Sequence, residues 1–151
     1  MDEIRMRVTV VVEHQGAILV IKEKCSGQPC YNLPGGNVDY LESIPDATRR
    51  EVWEETGLLV EFERMLWLDE RIDGNGKGKH TIGIGVLARL KGEETTPIPG
   101  GLEDEEIEWA GWVPLEEFRV MPLFNSARRK QVFEALTQSG YMPQYLGNIL
   151  S

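Results

Sequence analysis

Residues 36–58 read GNVDYLESIPDATRREVWEETGL. Ser43 with Asp46 three positions on makes a capping box with Asp in place of Glu, and Pro45 is tolerated in a first helical turn. The pattern predicts a helix over 44–56, closed by Gly57 in the left-handed conformation. At 3.6 residues per turn, Glu51, Glu54 and Glu55 fall within an arc of roughly 100°. Like charges three and four residues apart cost a helix a few tenths of a kcal/mol per pair, and carboxylates in its C-terminal half oppose the macrodipole. A bound divalent cation would reverse the sign of these effects. Mg²⁺ takes a few carboxylates, waters and substrate phosphates, and the Gly35-Gly36 turn beside the helix exposes backbone carbonyls. Arg50 lies four residues before Glu54 and can reach back to Glu42, so it can orient these carboxylates from behind.

Outward from this segment, Met6, Val8, Val10 and Val12 alternate with Arg5, Arg7 and Thr9, which predicts a strand with one buried face. Gln15-Gly16 makes a turn into a second strand over 17–24, giving a hairpin. Residues 26–32 read as a loop and 33–36, Leu-Pro-Gly-Gly, as a sharp backbone feature. Downstream, 58–68 is a strand, 73–79 a glycine-rich turn, and 81–88 another strand. Gly83 and Gly85 leave one of its faces bare, open to close approach by a helix or ligand. A long polar loop over 91–106 leads to a short strand over 107–113 and a helical turn at 114–118. Val132, Phe133 and Leu136 mark one face of a final helix ending near Gly140. This order predicts an α/β (α+β) fold, a mixed β-sheet sandwiched between helices.

The 151 residues suit one domain, expected over 1–140, with 141–151 as a tail. Tyr141, Met142, Tyr145, Leu146 and Ile149 follow no helical period, so the tail is expected to pack on its own domain or on a second subunit of a homodimer. The net charge of -9 and the lack of a Lys/Arg cluster argue against nucleic acid as a partner. An acidic chain can still take anionic substrates through bridging metal ions. No apolar run approaches the ~20 residues a membrane span needs, so no membrane partner is expected. The first seven residues lack the apolar region of a signal peptide, and Cys25 and Cys30 lack further ligands at zinc spacing. Two free thiols in a cytoplasmic protein are expected.

The segment from Gly36 to Leu58 resembles the Nudix box of the Nudix hydrolases, the MutT-like phosphohydrolases. That pattern is Gly, five residues, Glu, seven residues, then Arg-Glu-aliphatic-any-Glu-Glu-any-Gly-aliphatic. Gly36, Glu42, Arg50, Glu51, Val52, Glu54, Glu55, Gly57 and Leu58 fill every position. With seven fixed residues each at a frequency of roughly 0.07, a chance match is on the order of 10⁻⁸ per window. Leu33-Pro34-Gly35-Gly36 resembles the family's entry to the box, and Trp112–Glu117 its strand and turn near the C-terminus. The likeness covers roughly residues 5–138.

The resemblance implies Mg²⁺-dependent hydrolysis of a phosphate anhydride, with Mn²⁺ as a substitute. The substrate would be a nucleoside di- or triphosphate, or a small molecule linked to a nucleoside diphosphate. It implies Glu51, Glu54 and Glu55 as metal ligands, joined by the Gly35 carbonyl. Glu42, Arg50, Glu51 and Glu54 would form the catalytic group. The general base would be a Glu of the box or of a later loop, where Glu105 stands beside Glu103 and Glu106. Tyr31 could stack on a base and Arg71 could meet phosphate, though edge packing and a surface cation are the plainer readings. The tail and the preceding pattern faintly resemble a subgroup that removes phosphate from nucleoside di- and triphosphates and thiamine-pathway pyrophosphates, without a diagnostic motif. The alternative is a nucleotide-sensing domain without turnover, but such domains commonly lose box glutamates and this chain retains them all.

Overall fold

In a computed structural model, residues 3–24, 30–74, 78–100, 106–122 and 127–150 are described. The alternating N-terminal residues form β1 (Ile4–His14), which turns through Gln15 and Gly16, both at positive φ, into β2 (Ala17–Glu23). Paired positive φ values are what a tight two-residue hairpin requires. Two three-residue strands follow, β3 (Cys30–Asn32) and β4 (Gly35–Asn37). The expected loop therefore ends in a strand, and the Gly-Gly feature is itself a strand. Neither was legible, because three residues are too few to show a period of two. Helix α1 (Ile44–Thr56) has the expected bounds, with Ser43 Oγ accepting the Asp46 N–H at 3.1 Å and Gly57 at φ 71°. Asp46 turns its carboxylate to Arg49.

Strands β5 (Val60–Ile72), β6 (His80–Leu90) and β7 (Ile107–Pro114) run longer than the sequence pattern suggests. Then come the short α2 (Leu115–Phe118), α3 (Ala127–Thr137) and β8 (Gln144–Asn148). The strand path is β3-β2-β1-β6-β5-β8, with β4 on β1 and β7 on β2. Strand β1 divides its edge: Arg7, Val8 and Thr9 pair with β4, while Glu13 and His14 pair with β2. Its other edge runs parallel to β6.

Because strand side chains alternate, β1 serves two cores. Val8, Val10 and Val12 pack under α1 with Ala47, Val52 and Leu58. Val11 faces the opposite layer with Trp67, Phe118, Val132 and Ala135. The mixed sheet is thus sandwiched between α1 on one face and α2 with α3 on the other.

Two expectations are corrected. Gly83 and Gly85 do not leave a bare face, because a Cβ at Gly83 would lie 2.4 Å from the Asp69 carboxylate and one at Gly85 2.2 Å from the Trp67 ring. The glycines admit side chains from the neighbouring strand. Cys30 is disulfide-bonded rather than a free thiol. Pairing of Cys30 with Glu23 returns β3 to a point two residues before Cys25, which lies outside the described residues.

Candidate active site

The site is built where α1 meets β4. Glu55 is buried, and its Oε1 accepts the Gly35 N–H at 2.7 Å. Glu51 lies one turn earlier, against Gly36. A Cβ at Gly36 would stand 2.4 Å from the Glu51 carboxylate, and one at Gly35 would stand 2.1 Å from the Val8 carbonyl oxygen. Neither glycine has positive φ. They are required for close approach: Gly35 lets β4 lie on β1, and Gly36 lets the Glu51 carboxylate lie on β4.

Arg50 organises the acidic group. Its Nε donates to Glu42 Oε2 at 2.7 Å and its Nη2 to Glu42 Oε1 at 2.9 Å, a two-pronged pair. Nη2 also donates to the Asn37 carbonyl at 2.8 Å. Nη1 donates to Glu51 at 2.8 Å and reaches both oxygens of Glu54 at 3.4 Å. One guanidinium thus ties the loop before α1, strand β4 and the helix face together. These charge-assisted bonds raise the Arg50 pKa, with Glu42 the largest cause. The same Arg50 bond holds the Glu42 carboxyl below its usual range. Glu51 moves the other way, because burial outweighs its bond to Arg50 and raises its pKa.

The acidic residues fit a hard cation in kind. They offer carboxylate oxygens on one helix face, and burial makes the charge on Glu51 costly until a cation offsets it. Among the described residues, however, no three acidic or ligating side chains already converge as a metal cage. Glu55 is turned to Gly35 N–H, and Glu51 and Glu54 to Arg50.

The remaining candidates divide. Arg71 lies in a cavity adjoining Gly35. Tyr31 already packs against neighbours, edge-on to Trp109 at 6.1 Å and with Lys22 Nζ 5.8 Å from its ring centre. Glu103 and Glu105 fall outside the described residues, so their relation to the site is not described. Sequence reasoning missed Asp69 and Arg128, a buried ion pair at 3.2 Å joining β5 to α3. Their separation along the chain hid the pairing.

The NUDIX domain family model matches residues 3–136. The chain belongs to the NUDIX family. It is 28% identical over 110 residues to the phosphatase NudJ of Escherichia coli K12, covering 73% of this chain and 68% of that protein. The MutT NUDIX hydrolase from Burkholderia pseudomallei superposes with a TM-score of 0.67 at 28% identity, over 87% of this chain and 97% of that one. An ADP-ribose pyrophosphatase from Streptococcus suis shares the fold, with a TM-score of 0.70 at 23% identity over 93% of this chain and 98% of that one. As a Nudix hydrolase, this chain is a pyrophosphohydrolase with a mixed α+β fold. The family generally needs a divalent metal and acts on small molecules, and no described helix is long and apolar enough to cross a membrane.

Proposed function

We propose that this Nudix hydrolase is Mg²⁺-dependent and cleaves a phosphate anhydride in a nucleoside di- or triphosphate or a nucleoside diphosphate-linked small molecule. The observation that carries this reading is the convergence of Glu42, Glu51 and Glu54 on one Arg50 guanidinium beside the Gly35-bound Glu55. Glu51, Glu54 and Glu55 would hold the ion, with the Gly35 carbonyl; Mn²⁺ would substitute. When bound, the ion supplies charge neutralisation on the phosphates, a more acidic water and stabilisation of the leaving oxygen.

The chain's own residues do the positioning. Glu42 holds Arg50 in one orientation through two parallel bonds, and Arg50 in turn restricts Glu51 and Glu54. A carboxylate fixed before the reaction needs no reorganisation during it. Gly36 keeps side-chain bulk away from Glu51, and Gly35 N–H fixes Glu55. Arg71 contacts substrate phosphate. Tyr31 contacts the rest of the substrate only if it leaves Trp109. A box Glu or Glu105 takes the proton from water.

The domain is taken as 1–140. The tail is read as its final packing element, since β8 pairs in parallel with β5 and Tyr141 donates to the Leu66 carbonyl at 2.9 Å. Incubation with a panel of nucleotides, with phosphate and pyrophosphate measured separately, tests the function. Turnover that requires Mg²⁺ and releases either product is expected. No turnover of any member with Mg²⁺ or Mn²⁺ would favour a sensing role.

A further inference from the structure

Three arginines from distant parts of the chain line one recessed cavity of about 230 Å³: Arg7 on β1, Arg71 on β5 and Arg128 on α3. Arg7 and Arg71 belong to the face of the sheet opposite α1, by the alternation that places Val11 and Trp67 there. Gly35 also lines this cavity, while its N–H is bound to Glu55. The cavity therefore adjoins the carboxylate cluster through one residue.

The arginines are not equally committed. Arg128 is 6% exposed and gives Nε and Nη2 to Asp69, which also accepts the Trp67 Nε1–H at 2.9 Å. Arg7 and Arg71 form no ion pair among the described residues, and the buried Nε of Arg71 has no hydrogen-bond partner there. Burial, with Arg128 and Arg7 nearby, holds the Arg71 pKa below its ordinary value. Such a group costs stability unless an acceptor reaches it. Among the described residues Glu23 is the one carboxylate lining the cavity, so that lining is net cationic in a chain of net charge -9. Thr9 and Asn32 add polar groups, and among the described residues no aromatic ring lines it. These described walls suit phosphate oxygens and present no ring on which a base could stack.

We propose that this cavity seats a free terminal phosphoryl group of the substrate, with Arg7 and Arg71 donating to its oxygens and Arg128 held behind them by Asp69. The inference rests on reading α1 as the hydrolytic centre. It narrows the substrate class to diphosphates or triphosphates with an uncapped end. A terminal phosphoryl carries close to two negative charges near neutrality, about twice that of an esterified internal phosphate, so two uncommitted arginines select it. A sugar or second nucleoside attached at that end would have to displace the cationic walls.

Two measurements on the intact protein test this. The first is calorimetric titration with inorganic pyrophosphate without divalent metal, for wild type, Arg7→Gln and Arg71→Gln. Each variant should bind at least about tenfold more weakly, the loss expected for one charge-assisted contact. Metal-free Arg71→Gln should melt no lower than wild type, since it relieves like charge. Pyrophosphate should raise the melting temperature of wild type more than that of either variant. The second compares kcat/KM with Mg²⁺ for adenosine diphosphate and ADP-ribose, which share a diphosphate but differ in its capped end. Wild type should favour adenosine diphosphate, and both variants should lose that preference through a raised KM. Unchanged pyrophosphate binding in both variants overturns the assignment, as does wild-type preference for the capped substrate. Arginine-dependent binding without hydrolysis of either substrate would retain the cavity and remove the hydrolytic reading.

Discussion

At the scale of the residue, Arg50 and the two glycines set how the carboxylates of α1 lie against β4. Arg50 was legible because it lies one helical turn before Glu54, and a side chain of its length can reach back past the N-cap to Glu42. Its bond to the Asn37 carbonyl was not, since that depends on how β4 lies beside the helix. Arg50→Lys keeps the charge and loses the fork. It should lower turnover at least about tenfold and raise the Mg²⁺ requirement, one well-placed charged contact being worth that much. Titration of activity against Mg²⁺ checks it, and a Lys variant matching wild type would reduce Arg50 to a surface cation. Gly36→Ala and Gly35→Ala separate function from folding. A methyl at Gly36 meets the movable Glu51 carboxylate, so activity should fall with melting largely kept. A methyl at Gly35 meets the Val8 backbone, so melting itself should fall. Thermal and kinetic measurements on the pair test this, and the reverse ordering would contradict it.

At the scale of the element, long periodic segments were readable and short ones were not. Helix α1 announced both ends through Ser43 and Gly57. Strands β3, β4 and β8 have three to five residues and are defined by their neighbours. The tail lacks a helical period because residues 144–148 form a strand, yet Met142 and Tyr145 stay about two-thirds exposed. Helix α3 announced its apolar face but not Arg128, whose partner Asp69 is fully buried on β5. Removing one member of a buried ion pair typically costs about 3–5 kcal/mol. Arg128→Met should destabilise the protein by roughly that much, because among the described residues Asp69 then keeps only the Trp67 N–H. Denaturant unfolding reads it, and an Arg128→Met variant as stable as wild type would mean that the pair does not anchor α3.

At the scale of the whole molecule, the sequence gives opposite charges to two neighbouring regions and the fold brings them together. Acidic residues concentrated in one helix could be found by spacing alone. The cationic cavity could not, because its arginines come from β1, β5 and α3 and meet only across the sheet. Burial raises the Glu51 pKa above the ordinary 4.5, so its contribution to metal-free stability falls as pH rises from 4.5 through that raised value. Protons and Mg²⁺ then compete for the same carboxylate, and the Mg²⁺ requirement should increase as pH falls toward that window. Glu51→Gln removes both the charge and the competition. Its metal-free melting temperature near neutrality should be no lower than that of wild type. The most direct measurement is therefore anhydride hydrolysis by Glu51→Gln against wild type across Mg²⁺ concentrations, with folding confirmed by melting. Turnover should fall by at least about a hundredfold even at saturating Mg²⁺, consistent with loss of a charged ligand at a catalytic ion. Near wild-type turnover by a folded Glu51→Gln protein would contradict it.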